Sequence, residues 1–340
     1  MDSTYPWVYH WRTMLGVFDV MRWVDMHCDL PYDLAVRRRR GERDVVRRIF
    51  LRDFLDSGLR LLVVTLFVDD LSVPRALEEA LFQLQCLLEE EREAEGAFAL
   101  VRDADQLERC VSSGTLGLVP SMEGAEPLEG AEELLGFFRY HGLASMGLTW
   151  SRRNGFAEGT DLKGVVLSPG GLSSRGLALV GAAMEKGIAL DVSHLNDPGV
   201  EDLLRMGAFI WASHSNCRSL CPHPRNLEDR HIEALGRSGG VVGFNAHGSF
   251  VGFDDPVEGM YRHITRVVDL AGEDACALGL DLCDRFESFY QGVRKDLFMS
   301  HREARDALEV LAGRLGARLT EKLLWENPLR VIRRALTGSP

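Results

Sequence analysis

Short apolar runs alternate along the chain with longer stretches of helical periodicity. The apolar runs predict eight strands, at 22–27, 59–68, 115–121, 142–150, 188–193, 208–213, 240–245 and 276–281. Several of these runs are apolar almost throughout, as expected for strands that are buried on both faces of a parallel sheet. Apolar residues at helical spacing predict helices at 75–95, 173–186, 227–238 and 257–271, and one or two more within 301–335.

Polar side chains stand at or just beyond the ends of five predicted strands. These residues are Asp29, Glu123, His194, His214 and Asp281. Eight alternating strand and helix units favour a closed (β/α)8 TIM barrel of the α/β class over an open doubly wound sheet. Barrel enzymes build their active sites at the carboxyl ends of the strands, where these residues would lie.

We expect a single barrel domain over 1–340, because no linker, repeat or low-complexity stretch interrupts the pattern. The segment 301–340 is expected to supply closing helices. Residues 1–21 are interpreted either as an N-terminal docking arm or as the product of a start codon upstream of Met21.

The pair His27 and Asp29 lies in the stretch DMHCD at the end of the first strand. Residues two apart on a strand project from the same face, so both side chains can reach one ion. An isolated pair of this kind is more often a satisfied polar pair, but the further histidines at strand ends reverse that preference. Imidazole and carboxylate ligands together suit Zn²⁺ or a similar divalent ion. A carboxylate at Glu123 could bridge two such ions about 3.5–4 Å apart.

Two further residues are candidates for the chemistry of this site. Asp281 could transfer a proton between water and leaving group, and the alternative is a capping or salt-bridged acid. Arg225, in the stretch HPRN, could clamp a substrate carboxylate, and the alternative is an ordinary surface ion pair. Nearby His223, between two prolines, is interpreted as structural.

Composition restricts the function further. The formal net charge of −12 argues against nucleic-acid binding. The arginine run 37–40 is interleaved with acids farther on and is interpreted as a solvated helix face or loop. Seven cysteines without C-x-x-C spacing indicate reduced thiols in the cytoplasm. No stretch approaches the ~20 apolar residues of a membrane span, so we expect no membrane partner.

These motifs resemble the membrane (renal) dipeptidase family, peptidase family M19, within the amidohydrolase-like metal-dependent hydrolases. The resemblance runs from about Asp25 to about Asp284 and more loosely beyond. Its matching stretches are DMHCDLP, SMEGAEPL, LTWSRRN, GGLSSRGLALVGAAMEKGIALDVSHLND and ASHSNCRSLCPHPRNLEDRHIEAL. The family is known for a (β/α)8 barrel, two zinc ions and dipeptide hydrolysis, and many of its members are homodimers.

The resemblance implies a ligand set for two Zn²⁺ ions. His27 and Asp29 would hold one zinc, and His194 and His214 the other. Glu123 would bridge both.

The resemblance also implies roles on the substrate side. Arg225 would receive the C-terminal carboxylate of the dipeptide, and Asp281 would be the proton shuttle. Mammalian members have a histidine at the position of Trp150, where it helps to stabilise the tetrahedral intermediate. Because this chain has Trp150 at that position, the residue that stabilises the intermediate is not identified, and Arg152, Arg153 or Asn154 could take this role.

The last-strand motif departs from the pattern of the family. The family motif resembles G-S-D-F-D-G, whereas this chain reads GLDLCD from Gly279 to Asp284. The first aspartate is kept as Asp281, but the second acid is replaced by Cys283 or shifted to Asp284. This loop borders the substrate, so the substrate preference stays open.

We therefore expect a cytoplasmic, homodimeric, zinc-dependent dipeptidase that acts through a metal-bridging hydroxide, on substrates that include a C-terminal D-residue. One alternative is a related amidohydrolase acting on another amide, a lactam or an ester. A different alternative is a catalytically silent homologue that binds a peptide-like ligand.

Overall fold

The computed structural model describes residues 21–160, 170–289 and 292–338. Nine strands lie in these residues, at Trp23–Cys28 (β1), Leu59–Phe67 (β2), Phe98–Leu100 (β3), Leu116–Glu123 (β4), Ser145–Gly147 (β5), Ala189–Asp191 (β6), Ile210–Trp211 (β7), Val242–Phe244 (β8) and Cys276–Leu278 (β9). All eight predicted strands have a counterpart among them. The prediction missed β3, which lies in a shorter apolar run, 97–101, than any of the eight runs from which strands were predicted. Most of the N-terminal segment 1–21 lies outside the described residues.

The strands form a curled parallel sheet. β1, β2, β4, β5, β6 and β7 pair in that order, and β3 pairs with the first half of β4. β8 and β9 pair with each other in parallel, and a single bridge between Ala212 and Val242 joins them to β7. This order, with helices between successive strands, is the (β/α)8 barrel that the sequence predicts, with β3 as an addition.

The side chain of Asp25 connects the last strand of the barrel to the first. The backbone N–H of Leu280, just past β9, donates to Asp25 Oδ1 at 2.9 Å. His301 Nε2 lies 2.9 Å from the other carboxylate oxygen. Both Asp25 and His301 have no exposed surface. A buried carboxylate therefore joins β1, the segment after β9 and the start of a C-terminal helix.

Helices cover the outside of the sheet. They are α1 Leu30–Arg39, α2 Leu51–Asp56, α3 Ala76–Glu93, α4 Ala104–Ser113, α5 Leu135–Tyr140, α6 Ser174–Glu185, α7 Asp197–Met206, α8 Asp229–Arg237, α9 Gly248–Val251, α10 Pro256–Ala271, α11 His301–Leu315, α12 Ala317–Glu321 and α13 Asn327–Thr337. Two π-helical segments, Val46–Phe50 and Lys322–Glu326, precede α2 and α13. The region 301–335 thus contains three α-helices, where one or two were predicted. No helix within the described ranges combines the length and the apolar character that a membrane span requires.

The helix ends follow local signals in the sequence. α6 begins after Ser173, whose hydroxyl accepts the backbone N–H of Gly176 as an N-cap. The chain turns after α6 at Gly187, which has a φ of +67° that favours glycine. These positions agree with the predicted start and end of this helix.

The C-terminal helix α13 closes one end of the barrel. Ile332 and Ala335 of α13 belong to the same buried apolar cluster as Val24, Met26 and Val63, which line the barrel interior. The guanidinium of another α13 residue, Arg334, donates to the carbonyl of Ser238, shortly before β8. α13 therefore lies at the amino ends of the strands and leaves the carboxyl ends for a site.

Two residues of the arginine run are buried, contrary to the solvated face that the sequence suggested, whereas Arg39 and Arg40 are exposed as expected. Arg37 and Arg38 are each only 6% exposed. Arg37 Nε donates to Asp33 at 2.6 Å, and Arg38 bonds Glu90 of α3 at 2.6 Å. Arg38 therefore connects α1 to α3, a long-range pairing that the local pattern of charges does not reveal.

We expect Asp25→Ala to lower the free energy of unfolding by about 3–5 kcal/mol, because it leaves His301 and backbone N–H groups buried without their partner. Urea unfolding measures this change. Asp25→Asn keeps an acceptor oxygen and should cost less. Asp306→Ala, which removes an exposed acid from the same helix as His301, is the control. Equal losses from Asp25→Ala and Asp306→Ala would contradict the closing role of Asp25.

Candidate metal centre

The predicted ligands converge at the carboxyl ends of the barrel strands. His27 lies within β1 and Glu123 is the last residue of β4. His194, His214 and Asp281 each follow the last residue of their strand, β6, β7 or β9, by three positions. The spacing shared by these three residues places their side chains above the same end of the sheet.

One carboxylate oxygen of Glu123 faces three imidazole rings. Glu123 Oε1 lies 3.0 Å from His194 Nε2, 3.3 Å from His214 Nε2 and 3.7 Å from His27 Nε2. The Nε2 atoms of His194 and His214 are 3.0 Å apart. The position of Glu123 is therefore central in the cluster, as a bridging carboxylate requires.

Two overlapping groups of side chains have their potential ligand atoms within 4.8 Å of one another. One group is His27, Glu123 and His214, and the other is His27, Asp29 and Asp281. His27 Nε2 lies 3.8 Å from both Asp29 Oδ1 and Asp281 Oδ1. The structure thus brings Asp281 as close to His27 as Asp29 is.

Hydroxyl groups fix the orientation of two of the imidazole rings. Ser213 Oγ lies 2.6 Å from His214 Nδ1, and Ser151 Oγ lies 2.8 Å from His194 Nδ1. Each contact occupies Nδ1 and leaves Nε2 facing Glu123, which is the way that proteins orient metal-binding histidines. Sequence reasoning missed both serines. Ser213 is adjacent to its histidine, whereas Ser151 is brought to His194 only by the fold.

The backbone at two of the candidate residues is strained. His194 has a φ of +69° and Asp281 a φ of +56°, in the left-handed region that residues with a Cβ rarely adopt. Such a conformation costs roughly 1–3 kcal/mol and persists where the surroundings hold it. Asp191 supplies part of that hold, because its Oδ1 accepts the N–H groups of Ser193 at 2.9 Å and Ser213 at 3.0 Å.

The loop that carries His214 packs directly against the backbone of the next strands. A Cβ at Gly243 would lie 1.9 Å from the carbonyl oxygen of Ser213, and a Cβ at Gly279 would lie 1.7 Å from the same atom. Only glycine fits at these two positions. The close approach fixes the backbone on which His214 stands.

Burial and charge together shift the pKa values in the cluster. Burial raises the pKa of Glu123 and of Asp29, and it lowers the pKa of His194 and of His214 well below the usual range. Burial also lowers the pKa of His27, but the charges of Glu123 and Asp29 outweigh it and raise the value to about 10. The carboxylates therefore favour a positive charge among them.

The residues present fit a divalent cation. His27 Nε2 and Asp29 Oδ1 are buried and have no hydrogen-bond partner among the described residues. Buried polar atoms are normally paired, and neutral imidazole with ionised carboxylate is the form that binds metals. A metal ion would pair both atoms and supply the positive charge that the acids favour.

Arg225 lies at the side of the cluster and is only 3% exposed, which rules out an ordinary surface ion pair. Its guanidinium donates to the carbonyl of His214 at 3.3 Å and lies 5.6 Å from the centre of the Phe250 ring. Its Nε has no partner among the described residues. Arg225 therefore keeps donor capacity beside a candidate ligand.

Trp150 lies next to His194. Its ring lies 5.8 Å from the ring of His194 and 5.6 Å from that of Phe67, measured between centroids. Trp150 is partly exposed and can offer an aromatic face to a ligand at the cluster.

The candidates beyond Trp150 are engaged elsewhere. Arg152 NH1 bonds Asp70 at 3.0 Å, and its NH2 donates to the carbonyl of Val68 at 2.7 Å. Arg153 is on the surface, with 64% of its side chain exposed. Asn154 donates to the carbonyl of Leu148 at 2.7 Å, and its Oδ1 accepts two backbone N–H groups of its own loop. The structure therefore does not bring Asn154 into the cluster.

Asp281 is oriented by a residue that sequence reasoning missed. Asn245 Nδ2 donates to Asp281 Oδ2 at 3.0 Å, so Oδ1 faces His27. Burial raises the pKa of Asp281 to about 7, and the charge of Asp29 adds to this.

The fold and the cluster define a barrel hydrolase of the metal-dependent class, and comparison with known proteins gives the family. A family model described as membrane dipeptidase (peptidase family M19) matches residues 13–338. An uncharacterized protein in the pqqA 5′ region of Klebsiella pneumoniae is 31% identical over 252 residues, which are 70% of this chain and 89% of that protein. The dipeptidase tcpJ of Claviceps purpurea is 25% identical over 69% of this chain, but the match spans only 54% of tcpJ.

Two solved structures of metallopeptidases are similar to this structure over nearly the whole chain. A metallopeptidase of family M19 described as dipeptidase AC has a TM-score of 0.82 and 26% identity, covering 94% of this chain and 100% of its own. A metallopeptidase from Rhodobacter sphaeroides, solved with a phosphinate mimic of the dipeptide L-Ala-D-Ala, has a TM-score of 0.79 and 27% identity, covering 93% and 100%.

The chain belongs to the membrane dipeptidase family, peptidase family M19, and its enzyme class is that of a metallo-dipeptidase. The family implies a metal cofactor, in agreement with the donor set of the cluster.

Zn²⁺ or Co²⁺ should raise the thermal unfolding midpoint of the metal-stripped protein, because ions that bind only the folded state stabilise it by about 2.7 kcal/mol at a hundred times Kd. Scanning calorimetry at increasing metal concentration measures the shift. Mg²⁺ should have little effect, since imidazole is a poor ligand for it. The variant His214→Ala should show a smaller shift with Zn²⁺. An unchanged midpoint in the wild type would contradict a metal centre.

Proposed function

We propose that the protein is a zinc-dependent dipeptidase with two Zn²⁺ ions bridged by Glu123. The observation that carries this proposal is the position of Glu123 Oε1 within 3.7 Å of three histidine Nε2 atoms. His27 and Asp29 would hold one ion, and His194 and His214 the other. The Asp281 carboxylate would lie beside the first ion.

The donor set supports zinc over the other common divalent ions. Three imidazoles and two carboxylates are ligands that Zn²⁺ accepts readily, whereas Mg²⁺ and Ca²⁺ prefer oxygen ligands alone. When bound, such a pair of ions supplies Lewis acidity and a hydroxide at neutral pH. The role of the protein is to hold the ligands and to position the substrate.

We propose that Arg225 binds the C-terminal carboxylate of the dipeptide. A guanidinium that is buried and has free donor capacity beside His214 can make charge-assisted hydrogen bonds to a carboxylate. If the scissile carbonyl lies at the cluster, a C-terminal carboxylate bound to Arg225 would belong to the residue that directly follows that carbonyl. This arrangement would favour substrates with a single residue after the scissile bond.

Trp150 would bind the rest of the substrate beside His194. Its ring offers an apolar face there. Asn154 would contribute by holding the loop that carries Trp150, because its amide bonds the carbonyl of Leu148, two residues before the ring.

Asp281 is proposed as the proton shuttle. A carboxylate beside a metal-bound water can accept a proton from that water and release it to the leaving group. Asn245 holds Oδ2, and Oδ1, which faces His27, would take the proton of the attacking water and pass it to the leaving amine.

A dipeptide with a C-terminal D-residue is the substrate that we propose to test first. The Rhodobacter sphaeroides relative was solved with a mimic of L-Ala-D-Ala, and it is 27% identical over most of the chain. A screen of paired L,L and L,D dipeptides measures the preference.

We also propose a cytoplasmic location and a homodimer. All seven cysteines are free thiols, as expected in a reducing compartment. The dimer is supported by the family resemblance, and sedimentation of the purified protein tests it.

The two alternatives differ in measurable ways. A related hydrolase would cleave lactams, lactones or other amides faster than dipeptides in a side-by-side screen. A silent homologue would bind metal without hydrolysing any of these compounds.

Asp281→Asn should lower kcat for a dipeptide by about 10²–10⁴-fold, because the amide cannot move the proton. Steady-state kinetics measures the change, and metal analysis of the same sample is the control. Metal content should stay near that of the wild type. Full activity with bound metal would contradict the shuttle role.

Arg225→Gln should raise KM for dipeptides by about 10–100-fold, because hydrogen bonds to a charged group contribute about 1.5–3 kcal/mol. The matched control is the amide of the same dipeptide, which lacks the carboxylate and should lose little. Equal losses for acid and amide would mean that Arg225 supports the fold and does not bind the carboxylate.

A further inference from the structure

Cys283 lies between two acids of the candidate centre. Its Sγ is 3.4 Å from Asp29 Oδ2 and 3.5 Å from Asp281 Oδ1. A tight turn creates this position, because Asp281 has a φ of +56° and its carbonyl accepts the N–H of Cys283 at 3.0 Å. The thiol therefore reaches back to the rim from a loop outside the barrel strands.

The side chain of Asp29 has an unusual set of contacts for its place in the chain. Asp29 is the N-cap residue of α1, yet its carboxylate makes no capping hydrogen bond, although such a bond contributes about 1 kcal/mol. Among the described residues, its Oδ2 has the Cys283 thiol as donor, and its Oδ1 has no hydrogen-bond partner. The carboxylate has thus turned from the helix toward the cluster.

The two oxygens of Asp29 therefore differ in role. Oδ1 lies 3.8 Å from His27 Nε2, and neither atom has a hydrogen-bond partner among the described residues. Oδ2 contacts sulfur. Because a carboxylate can only accept, the thiol must be the donor in this pair.

We propose that Cys283 is a positioning residue of the metal centre, whose thiol holds Asp29 Oδ2 and so presents Oδ1 to the ion that His27 binds. The inference rests on the metal centre of the proposed function and deepens it. Partners of this kind orient metal ligands, and their loss commonly weakens binding 10–100-fold.

The chemistry of a thiol explains why it suits this place. Asp29 and Asp281 are like charges that both face His27 Nε2. A further carboxylate at position 283 would add repulsion, whereas a neutral S–H group donates a weak hydrogen bond and adds no charge.

The test is a stepwise metal titration of the full-length, metal-stripped protein, followed through the visible spectrum of Co²⁺. Cys283→Ala should weaken one of the two binding steps by about 10-fold or more and leave the other unchanged. Cys283→Ser retains an O–H donor and should restore the affinity to within about threefold of the wild type. Cys221→Ala is the matched control, because Cys221 is also partly exposed but its Sγ faces the carbonyl of Ser249.

Three outcomes would overturn the inference. Unchanged binding steps in Cys283→Ala would show that the thiol does not position Asp29. Equal weakening of both steps, without rescue by serine, would show a general structural role. An intense sulfur-to-cobalt charge-transfer band in the wild type would show that Cys283 is itself a ligand.

Failure of the proposed function has a different signature. A wild type that binds two ions but hydrolyses no dipeptide overturns the dipeptidase proposal and leaves the Cys283 titration interpretable. A wild type that binds two ions and hydrolyses dipeptides, with Cys283→Ala identical to it, overturns the positioning role alone.

Discussion

The burial of several carboxylates beside three imidazoles is the constraint on which the rest of the structure depends. Asp29 and Glu123 are each 6% exposed, and water therefore screens their charges little. Such a cluster is stable only if something positive lies among the acids and if each side chain is held against repulsion. Two features hold the side chains in place. The backbone takes strained turns at His194 and Asp281, and serine hydroxyls contact the Nδ1 atoms of two imidazoles.

Asp25 and Asp191, which lie outside the cluster, each use one carboxylate oxygen to accept two backbone N–H groups. Asp25 Oδ1 accepts the N–H of His27 and the N–H of Leu280. Asp191 Oδ1 accepts two N–H groups in the same way, one on its own loop and one on the loop after β7. In both cases one carboxylate oxygen fixes a ligand-bearing segment relative to a neighbouring strand end. The rim is therefore held by side chains where the short strands provide few backbone hydrogen bonds.

The sequence predicts where the candidate ligands lie better than it predicts the side chains that hold them in place. His27, Glu123 and His214 could be recognised because each falls at the end of an apolar run, and parallel strands end on one side of a barrel. Ser151 and Asn245 could not, because they reach the ligands only through contacts distant in sequence. The interpretation of Arg38 was wrong for the same reason, since its acidic partners lie on another helix.

The pairing of Asp25 with His301 has a consequence for the order of folding. These residues are 276 positions apart. The buried carboxylate of Asp25 therefore pairs with the imidazole of His301 only after most of the chain has been synthesised. Contacts of such separation form late and slow the search for the native state. During synthesis, the rim residues of β1 are made first, yet they acquire their final geometry only once α11 has left the ribosome. The candidate metal ligands of β1, which are early in the chain, are thus among the last residues of the site to reach their final positions.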